Sequence, residues 1–108
     1  MFKRIQAKDF YPIWEEAAKG RGCHIVDVRT PAEFAAGHVP GARLMALETV
    51  PVRMQEFPKD KPVYLICRSG ARSAQAAQFL AANGGFTNLI NIEGGTMAWA
   101  QAGYPVEQ

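Results

Sequence analysis

The residues best suited to chemistry form one short loop: Cys67, Arg68, Ser69, Gly70, Ala71 and Arg72. Before the loop, the apolar run from Val63 to Ile66 predicts a buried strand. After it, Ser73 opens an alanine-rich stretch that predicts a helix as far as Asn83. A strand, a tight loop and a helix N-terminus are the parts from which α/β proteins build anion-binding sites.

The composition of this loop favours Cys67 as a thiolate. Backbone N–H groups in such a turn can converge on an anion, and the following helix adds unpaired N–H donors and the positive end of its dipole. Arg68 and Arg72 add charge that persists at every working pH. A free cysteine has a pKa of about 8.5, which helix N-termini and nearby cations lower. Cys67 is therefore predicted to be a nucleophile facing an anionic substrate, with a small buried hydrophobic residue as the alternative.

The other residues of the loop are expected to bind the substrate. Arg72 either faces the substrate directly or braces the loop through backbone carbonyls. Arg68 is expected to be exposed near the mouth, where it can steer anions toward the site. Ser69 and Ala71 are expected to contribute backbone N–H groups, and Gly70 a backbone conformation that other residues resist.

Composition and charge restrict the classes of function. The chain has 108 residues, 48% hydrophobic and 20% charged, which suits one globular domain over residues 1–108. The net charge of +2 is too small to favour nucleic acid or an anionic membrane as a partner. The longest apolar runs are of strand length, and none follows the N-terminal charges, so neither a membrane span nor a signal peptide is expected. Size and balanced charge favour a monomer.

The two cysteines, Cys23 and Cys67, are expected to remain reduced. Cys23 precedes one predicted strand and Cys67 follows another, so a parallel sheet places them at opposite edges, about 17 Å apart. A disulfide needs Cα atoms within about 7 Å of each other. Free thiols are typical of the cytoplasm, which is the predicted location.

Strands and helices alternate along the chain. The predicted strands are 24–28, 43–45, 63–66 and 89–92, and the predicted helices are 9–19, 30–37, 73–83 and 96–102. Asp9, Thr30 and Thr96 are the expected N-caps, and Glu33 completes a capping box with Thr30. Residues 46–61 predict only a helical turn or two. The alternation predicts an α/β fold with a mainly parallel central sheet and helices on both faces.

Three segments are expected to meet at the carboxyl ends of the strands, where parallel sheets bind ligands. They contain Cys67, Asp27 with Arg29, and Gly94–Gly95. Asp27 and Arg29 are predicted to form an ion pair that supports the neighbouring loops rather than to take part in catalysis. Glu33 is likewise assigned a supporting role, through its capping box.

These segments resemble the rhodanese domain, and specifically a small single-domain sulfurtransferase. The loop Cys67–Arg72 is similar to the rhodanese active-site loop. The N-terminal signature of the family resembles Asp27-Val28-Arg29, Glu33-Phe34, Gly37-His38 and Pro40-Gly41-Ala42, and the C-terminal signature resembles Gly94-Gly95, Trp99 and Gly103-Tyr104-Pro105. The resemblance extends from Ile25 to Pro105 and implies a rhodanese-like three-layer fold.

The resemblance also implies a ping-pong reaction without a cofactor or metal. The Cys67 thiolate attacks the outer sulfur of thiosulfate or a related small anionic donor, and sulfite leaves. An acceptor thiol, which can belong to a protein, or cyanide then takes the sulfur from the Cys67 persulfide. Arg68 and Arg72 suit a dianion such as thiosulfate, whereas relatives that use mercaptopyruvate tend to have a less basic loop.

Three alternatives remain open beside this enzyme. The domain can instead be a persulfide relay for a protein partner, which an exposed apolar patch of Met45, Val50 and Met54 near Cys67 would favour. It can be a relative of phosphatases or arsenate reductases, but related cell-cycle phosphatases have a loop one residue longer, which gives phosphate a larger cradle. An inactive regulatory domain is disfavoured because Cys67 and both loop arginines are intact.

Overall fold

Among residues 2–108, five strands and four α-helices alternate, which confirms the predicted alternation, although the sequence predicts only four of the strands. The structure is a computed structural model and describes residues 2–108. The strands are β1 (Lys3–Gln6), β2 (His24–Asp27), β3 (Ala42–Leu44), β4 (Val63–Ile66) and β5 (Leu89–Glu93). The helices are α1 (Ala7–Glu16), α2 (Pro31–Ala36), α3 (Ala71–Gly84) and α4 (Gly95–Gln101), and two 3₁₀ helices cover Leu47–Val52 and Met54–Glu56.

The five strands form a single parallel sheet in the order β1-β5-β4-β2-β3. β4 lies at its centre, and all four of its residues are buried, which explains their continuous apolar run. The register aligns Asp27 with Ile66 and Leu65 with Asn91. The carboxyl ends of β2, β4 and β5 therefore lie side by side, which brings the three predicted segments to one edge.

Helices cover both faces of the sheet, which confirms the predicted three-layer α/β fold. On one face, α1 and α4 bury Phe10, Trp14 and Trp99 against the sheet. On the other, α3 buries Ala77 and Leu80. Successive strand residues supply the two cores in turn because side chains alternate along a strand, so Ile25 joins the first core and Val26 the second. No helix among residues 2–108 has the length and apolar character needed to cross a membrane.

The first helix begins earlier than predicted because β1 leads straight into it. Gln6, not Asp9, is the N-cap, and the helix ends at Glu16 rather than Lys19. Ala18 and Lys19 have positive φ angles of 54°, so the chain has left the helix before Gly20. β1 itself is absent from the sequence prediction. It is a largely exposed edge strand with only Ile5 half-buried, so it carries no clear apolar alternation.

The starts of α3 and α4 also differ from the prediction. α3 begins at Ala71 with Gly70 as N-cap, so Ala71 and Arg72 belong to its first turn. α4 begins at Gly95 with Gly94 as N-cap, so Thr96 lies inside the helix and is not its cap. In both cases the N-cap is a glycine with positive φ. Glycine has no side chain that could cap the helix, so the usual capping pattern does not reveal it.

The capping box of α2 is confirmed. The Thr30 hydroxyl accepts a hydrogen bond from the Glu33 N–H at 3.2 Å, and the Glu33 carboxylate accepts one from the Thr30 N–H at 3.1 Å. Pro31 takes the first helical position and Gly37 ends the helix, as predicted. The helical turn or two predicted within residues 46–61 is confirmed by the two short 3₁₀ helices.

Candidate active site

Cys67 lies at the carboxyl end of β4, in the turn that leads into α3. Its side chain is almost fully enclosed, with 1% of the residue exposed. The sulfur accepts a hydrogen bond from the backbone N–H of Gly70 at 3.1 Å and one from the Ser73 hydroxyl at 3.4 Å. The thiol is therefore surrounded by donors at the N-terminal end of a helix, which is the environment of an activated cysteine.

The pKa of Cys67 reflects two opposing effects. Burial raises the pKa of the thiol, whereas the hydrogen bond from the Ser73 hydroxyl lowers it. The backbone N–H groups of Ser73, Gly70 and Ser69 lower it further. The donors outweigh burial, so the pKa lies below its ordinary value and the thiolate is favoured. The sequence does not predict this role for Ser73, because its position there indicates only the start of a helix.

Gly70 holds the turn in the conformation that this arrangement needs. Its φ angle is +108°, a region that residues with a side chain rarely adopt, which confirms the role predicted for it. Its carbonyl accepts hydrogen bonds from the Ala74 N–H at 3.1 Å and from the Asn91 side-chain amide at 3.2 Å. The Ser73 hydroxyl lies 3.3 Å from the same carbonyl, but that oxygen already has two donors, so the hydroxyl proton is available to the sulfur.

The N-terminus of α4 supports the back of the loop. The Cys67 carbonyl accepts hydrogen bonds from the Thr96 N–H at 2.8 Å and the Thr96 hydroxyl at 3.1 Å, and the Arg68 carbonyl accepts one from Met97 N–H at 3.0 Å. A Cβ atom on Gly95 would overlap the Cys67 carbonyl oxygen, so only glycine allows this close approach. The Gly94–Gly95 segment thus lies at the site as predicted, and it acts by bringing two backbones together.

Arg72 is bound to Glu33, which the sequence did not foresee. Two hydrogen bonds of 2.7 and 2.8 Å join its guanidinium to the Glu33 carboxylate, and about a third of each side chain is exposed. The Arg72 side chain, followed by the Thr30 N–H, lowers the pKa of Glu33 to about 2. Arg72 therefore braces the loop through a carboxylate and not through backbone carbonyls. Contact of Arg72 with a substrate remains a prediction.

The two loop arginines contribute less to the thiolate than the sequence suggested. Arg72 has its charge balanced by Glu33, and the Arg68 side chain points into solvent. The low pKa of Cys67 comes instead from hydrogen-bond donors. Arg68 and Ser69 are both exposed, which confirms the predicted exposure of Arg68, while its role in steering anions stays a prediction.

Asp27 and Arg29 form the predicted ion pair, and it is buried. The Arg29 Nη2 donates to an Asp27 carboxylate oxygen at 2.8 Å, and its Nε lies 2.9 and 3.1 Å from the two oxygens. Arg29 also donates to the Gly37 carbonyl at 2.8 Å. The pair therefore joins the end of β2 to the end of α2, which is the helix that carries Glu33.

Two further sequence expectations have different outcomes. Cys23 and Cys67 are both free, as predicted. The exposed apolar patch that would favour a relay is not formed by the named residues, because Met45 and Val50 are buried with 6% and 1% exposure and Met54 packs against the core. Those apolar side chains stabilise the layer between the 3₁₀ helices and α3, so they do not form a surface beside the thiol.

Comparison with known proteins adds independent findings. A family profile described as the rhodanese-like domain matches residues 13–102. A sulfurtransferase of Allochromatium vinosum is 46% identical over 82 residues, which are 76% of this chain and 76% of that protein. The uncharacterized protein YqhL of Bacillus subtilis is 44% identical over 79 residues, 73% of this chain and 62% of that protein, so the match spans less than two thirds of YqhL. The solved structure of a rhodanese-related protein of Thermoplasma volcanium superposes with a TM-score of 0.82 at 31% identity, covering 98% of each chain.

Proposed function

The chain belongs to the rhodanese-like domain family, and we propose that it is a sulfurtransferase in which Cys67 carries the sulfur as a persulfide. One observation supports this most directly: the Cys67 sulfur accepts hydrogen bonds from Gly70 and Ser73 that keep its pKa low despite burial. A nucleophilic thiolate at a helix N-terminus is what attack on a sulfane sulfur requires. The sulfurtransferase name of the Allochromatium relative agrees with this assignment.

The proposed donor is thiosulfate or a related small anion. The Cys67 thiolate forms a bond to the outer sulfur, the S–S bond of thiosulfate breaks, and its electron pair leaves with sulfite. Persulfide on Cys67 and sulfite together carry the three negative charges of the reactants, so no proton or oxidant is needed. Arg68 supports an anionic donor, because its charge is exposed beside the loop and forms no salt bridge among residues 2–108.

The second half-reaction returns Cys67 to the thiolate. An acceptor thiolate, or cyanide in an assay, attacks the outer sulfur of the persulfide and leaves with it, while the electron pair of the broken S–S bond returns to Cys67. The acceptor is proposed to be a thiol, small or carried by a protein. We further propose that the protein acts as a monomer in the cytoplasm, where thiols stay free, and both of its cysteines are unpaired.

The test is intact mass spectrometry of the reduced protein after incubation with thiosulfate and no acceptor. The native protein and the matched variant Cys23→Ala are expected to gain one sulfur and to lose it on adding cyanide, whereas Cys67→Ala gains none. A gain that survives in Cys67→Ala but not in Cys23→Ala would overturn the assignment of the nucleophile.

A native protein that gains no sulfur from thiosulfate would exclude this donor. The same assay with an organic persulfide as donor then separates a relay from a thiosulfate enzyme, since a relay would accept sulfur only from the persulfide. A phosphate monoester is the third substrate to test. The loop predicts no turnover of it, because only four residues separate Cys67 from Arg72, one fewer than in the related phosphatases, and this smaller cradle suits a sulfur atom better than a phosphoryl group.

A further inference from the structure

Asn91 is a fully buried amide in the middle of β5, between two isoleucines. It lies in β5 between Ile90 and Ile92, has no exposed surface, and shares the α3 side of the sheet with Leu89. Its Oδ1 atom is buried and has no donor anywhere in residues 2–108. Burying an amide oxygen without a partner opposes folding, so the residue needs a reason other than packing.

The amide nitrogen of Asn91 provides that reason, because it holds the loop of Cys67. Nδ2 donates to the Gly70 carbonyl at 3.2 Å and to a Glu93 carboxylate oxygen at 2.6 Å. Both partners can only accept, so the orientation of the amide is fixed by chemistry. Arg4 donates to the same Glu93 oxygen at 2.9 Å, so the carboxylate that fixes Asn91 is itself anchored.

The hydrogen bond from Asn91 to the Gly70 carbonyl orients two N–H groups, those of Gly70 and Ala71. A trans peptide unit is planar, with C=O and N–H on opposite sides. The Gly70 carbonyl points toward its donors on Ala74 in α3 and Asn91 in β5, so the Ala71 N–H of the same unit points away from both. Ala71 is the first residue of α3, so this N–H has no partner within the helix. The ψ angle that places the carbonyl also fixes Gly70, whose own N–H contacts the Cys67 sulfur.

We propose that Asn91 is a positioning residue for sulfur transfer. It holds the Gly70–Ala71 peptide so that the Gly70 N–H meets the Cys67 sulfur and the Ala71 N–H faces the side where a transferred sulfur would sit. This inference rests on the proposed function only for that transferred sulfur. The effect on the Cys67 thiol itself holds whatever the donor is.

A purely structural role is disfavoured by the remaining contacts. The Gly70 carbonyl still accepts from Ala74 N–H without Asn91, and Glu93 still pairs with Arg4. An apolar residue of the same shape would remove the unpaired Oδ1 atom and suit the surrounding core. The Asn91 amide therefore contributes more to the geometry of the Cys67 loop than to the stability of the protein.

The test substitutes Asn91→Leu and compares it with a matched control, Asn88→Leu. Asn88 also has a buried unpaired Oδ1, and its Nδ2 donates to the Pro58 and Lys61 carbonyls at 2.7 and 2.6 Å. It precedes β5 and so lies at the opposite edge of the sheet from Cys67. Each variant is measured for melting temperature, for the pH profile of Cys67 alkylation by iodoacetamide, and for the rate of sulfur uptake from thiosulfate.

The two variants are expected to separate stability from reactivity. Asn91→Leu keeps or raises the melting temperature, shifts the alkylation profile to higher pH, and slows sulfur uptake by about tenfold, because small misplacements of reacting groups are costly. Asn88→Leu lowers the melting temperature and leaves the profile unchanged. Asn91→Val, which is smaller and suits a strand, gives the same readouts if the leucine variant does not fold.

The proposal is overturned if the alkylation profile of the Asn91 variant coincides with that of the native protein, or if Asn88→Leu shifts it equally. Failure of the proposed function is recognised separately. A native protein that takes no sulfur from thiosulfate still has an alkylation profile, because alkylation needs only the thiol. A shifted profile in Asn91→Leu would then support Asn91 while thiosulfate is rejected.

Discussion

Cys67 and Cys23 show how neighbouring atoms decide the reactivity of a cysteine. Burial raises the pKa of both thiols, and for Cys23 nothing opposes it. At Cys67 the Ser73 hydroxyl and three backbone N–H groups oppose burial and reverse the net shift. The difference lies in the Ser73 hydroxyl and in the N–H groups around the start of α3, which a helix leaves without internal partners. Cys23 precedes a strand and lacks such donors.

Ser73→Ala should raise the pKa of Cys67. A hydrogen bond to a charged group contributes about 1.5–3 kcal/mol, so losing the hydroxyl should raise the pKa by about one to two units. At pH values below the pKa of both proteins, the rate of Cys67 alkylation should then fall by about ten- to a hundredfold, and at high pH it should match that of the native protein. The measurement is the alkylation rate between pH 5 and 10, a range of about five units around the ordinary thiol pKa.

Thr49→Val is the control for this experiment. Its hydroxyl donates to the Ala46 carbonyl at 2.7 Å, whereas the side-chain hydroxyl that donates to the Cys67 sulfur is that of Ser73. Its alkylation profile should coincide with that of the native protein. A Ser73→Ala variant with the native profile would show that the backbone N–H groups suffice and that the hydroxyl has no part in lowering the pKa.

The loop was predictable from the sequence because its determinants are local, and its supports were not because they are distant. The strand before Cys67, the glycine and the helix after it are adjacent in the chain, and the Thr30–Glu33 capping box spans four positions. In contrast, Asn91 is 21 residues from Gly70, and Glu33 is 39 residues from Arg72. Each of these pairs is defined by the sheet order, so neither leaves a pattern in neighbouring residues.

Gly95→Ala should push α4 away from the Cys67 loop. Gly95 has a φ angle of +59°, and a Cβ atom there would overlap the backbone of Cys67 and Arg68. Positive φ costs a residue with a side chain about 1–2 kcal/mol, and the overlap adds about 1–3 kcal/mol. The free energy of unfolding should fall by the sum of these two costs, and sulfur uptake should fall as well. Urea denaturation measures the free energy of unfolding, and intact mass spectrometry measures sulfur uptake.

Gly103→Ala isolates the cost of the backbone conformation. Gly103 also has a positive φ, +81°, but a Cβ atom on it meets nothing within 4 Å. It should lose only the conformational part, about 1–2 kcal/mol, and keep native sulfur uptake. Equal destabilisation in the two variants would contradict the close approach of α4 to the loop.

Glu33→Gln should weaken the link between α2 and α3 in a pH-dependent way. Partly exposed ion pairs contribute about 0.2–1 kcal/mol, so a small loss of stability is expected at neutral pH. The pKa of Glu33 is about 2 in the folded protein and about 4.3 when unfolded, so its contribution is complete above pH 4.3 and is lost as the pH falls through 2. The difference in urea midpoint between native protein and variant should therefore disappear in acid.

Glu56→Gln serves as the matched control for this pair. Glu56 accepts two hydrogen bonds of 2.8 Å from Arg53, in the region of the 3₁₀ helices, and both side chains are well exposed. Its removal should cost little stability and leave alkylation of Cys67 unchanged. A stability difference for Glu33→Gln that was as large below pH 2 as at neutral pH would show that the charge of Glu33 is not what stabilises the native protein.

The parallel sheet gives the whole molecule two chemically different edges. The register of β2 with β4 places Cys23, before His24, at the amino edge, and Cys67, after Ile66, at the carboxyl edge. The turns and helix N-termini that supply donors lie at the carboxyl edge. One thiol therefore titrates below its ordinary pKa and the other above it, and both titrations are coupled to folding.

The stability of the protein should consequently depend on each cysteine with opposite sign. The folded pKa of Cys67 is depressed, so its contribution is complete above the unfolded pKa of about 8.5 and is lost as the pH falls through the folded pKa. The folded pKa of Cys23 is raised, so its contribution is complete below about pH 8.5 and is lost as the pH rises through the folded pKa.

Urea midpoints of the native protein, Cys67→Ala and Cys23→Ala, measured in reductant from neutral pH to about pH 9.5, a unit above the ordinary thiol pKa, test this expectation. The advantage of the native protein over Cys67→Ala should grow as the pH rises, and its advantage over Cys23→Ala should shrink. Each variant is the control for the other, because both remove one thiol and differ in the edge of the sheet that it occupies. Two differences that change with pH in the same direction would mean that the donors around Cys67 do not outweigh its burial, and the case for an activated thiolate would fail with them.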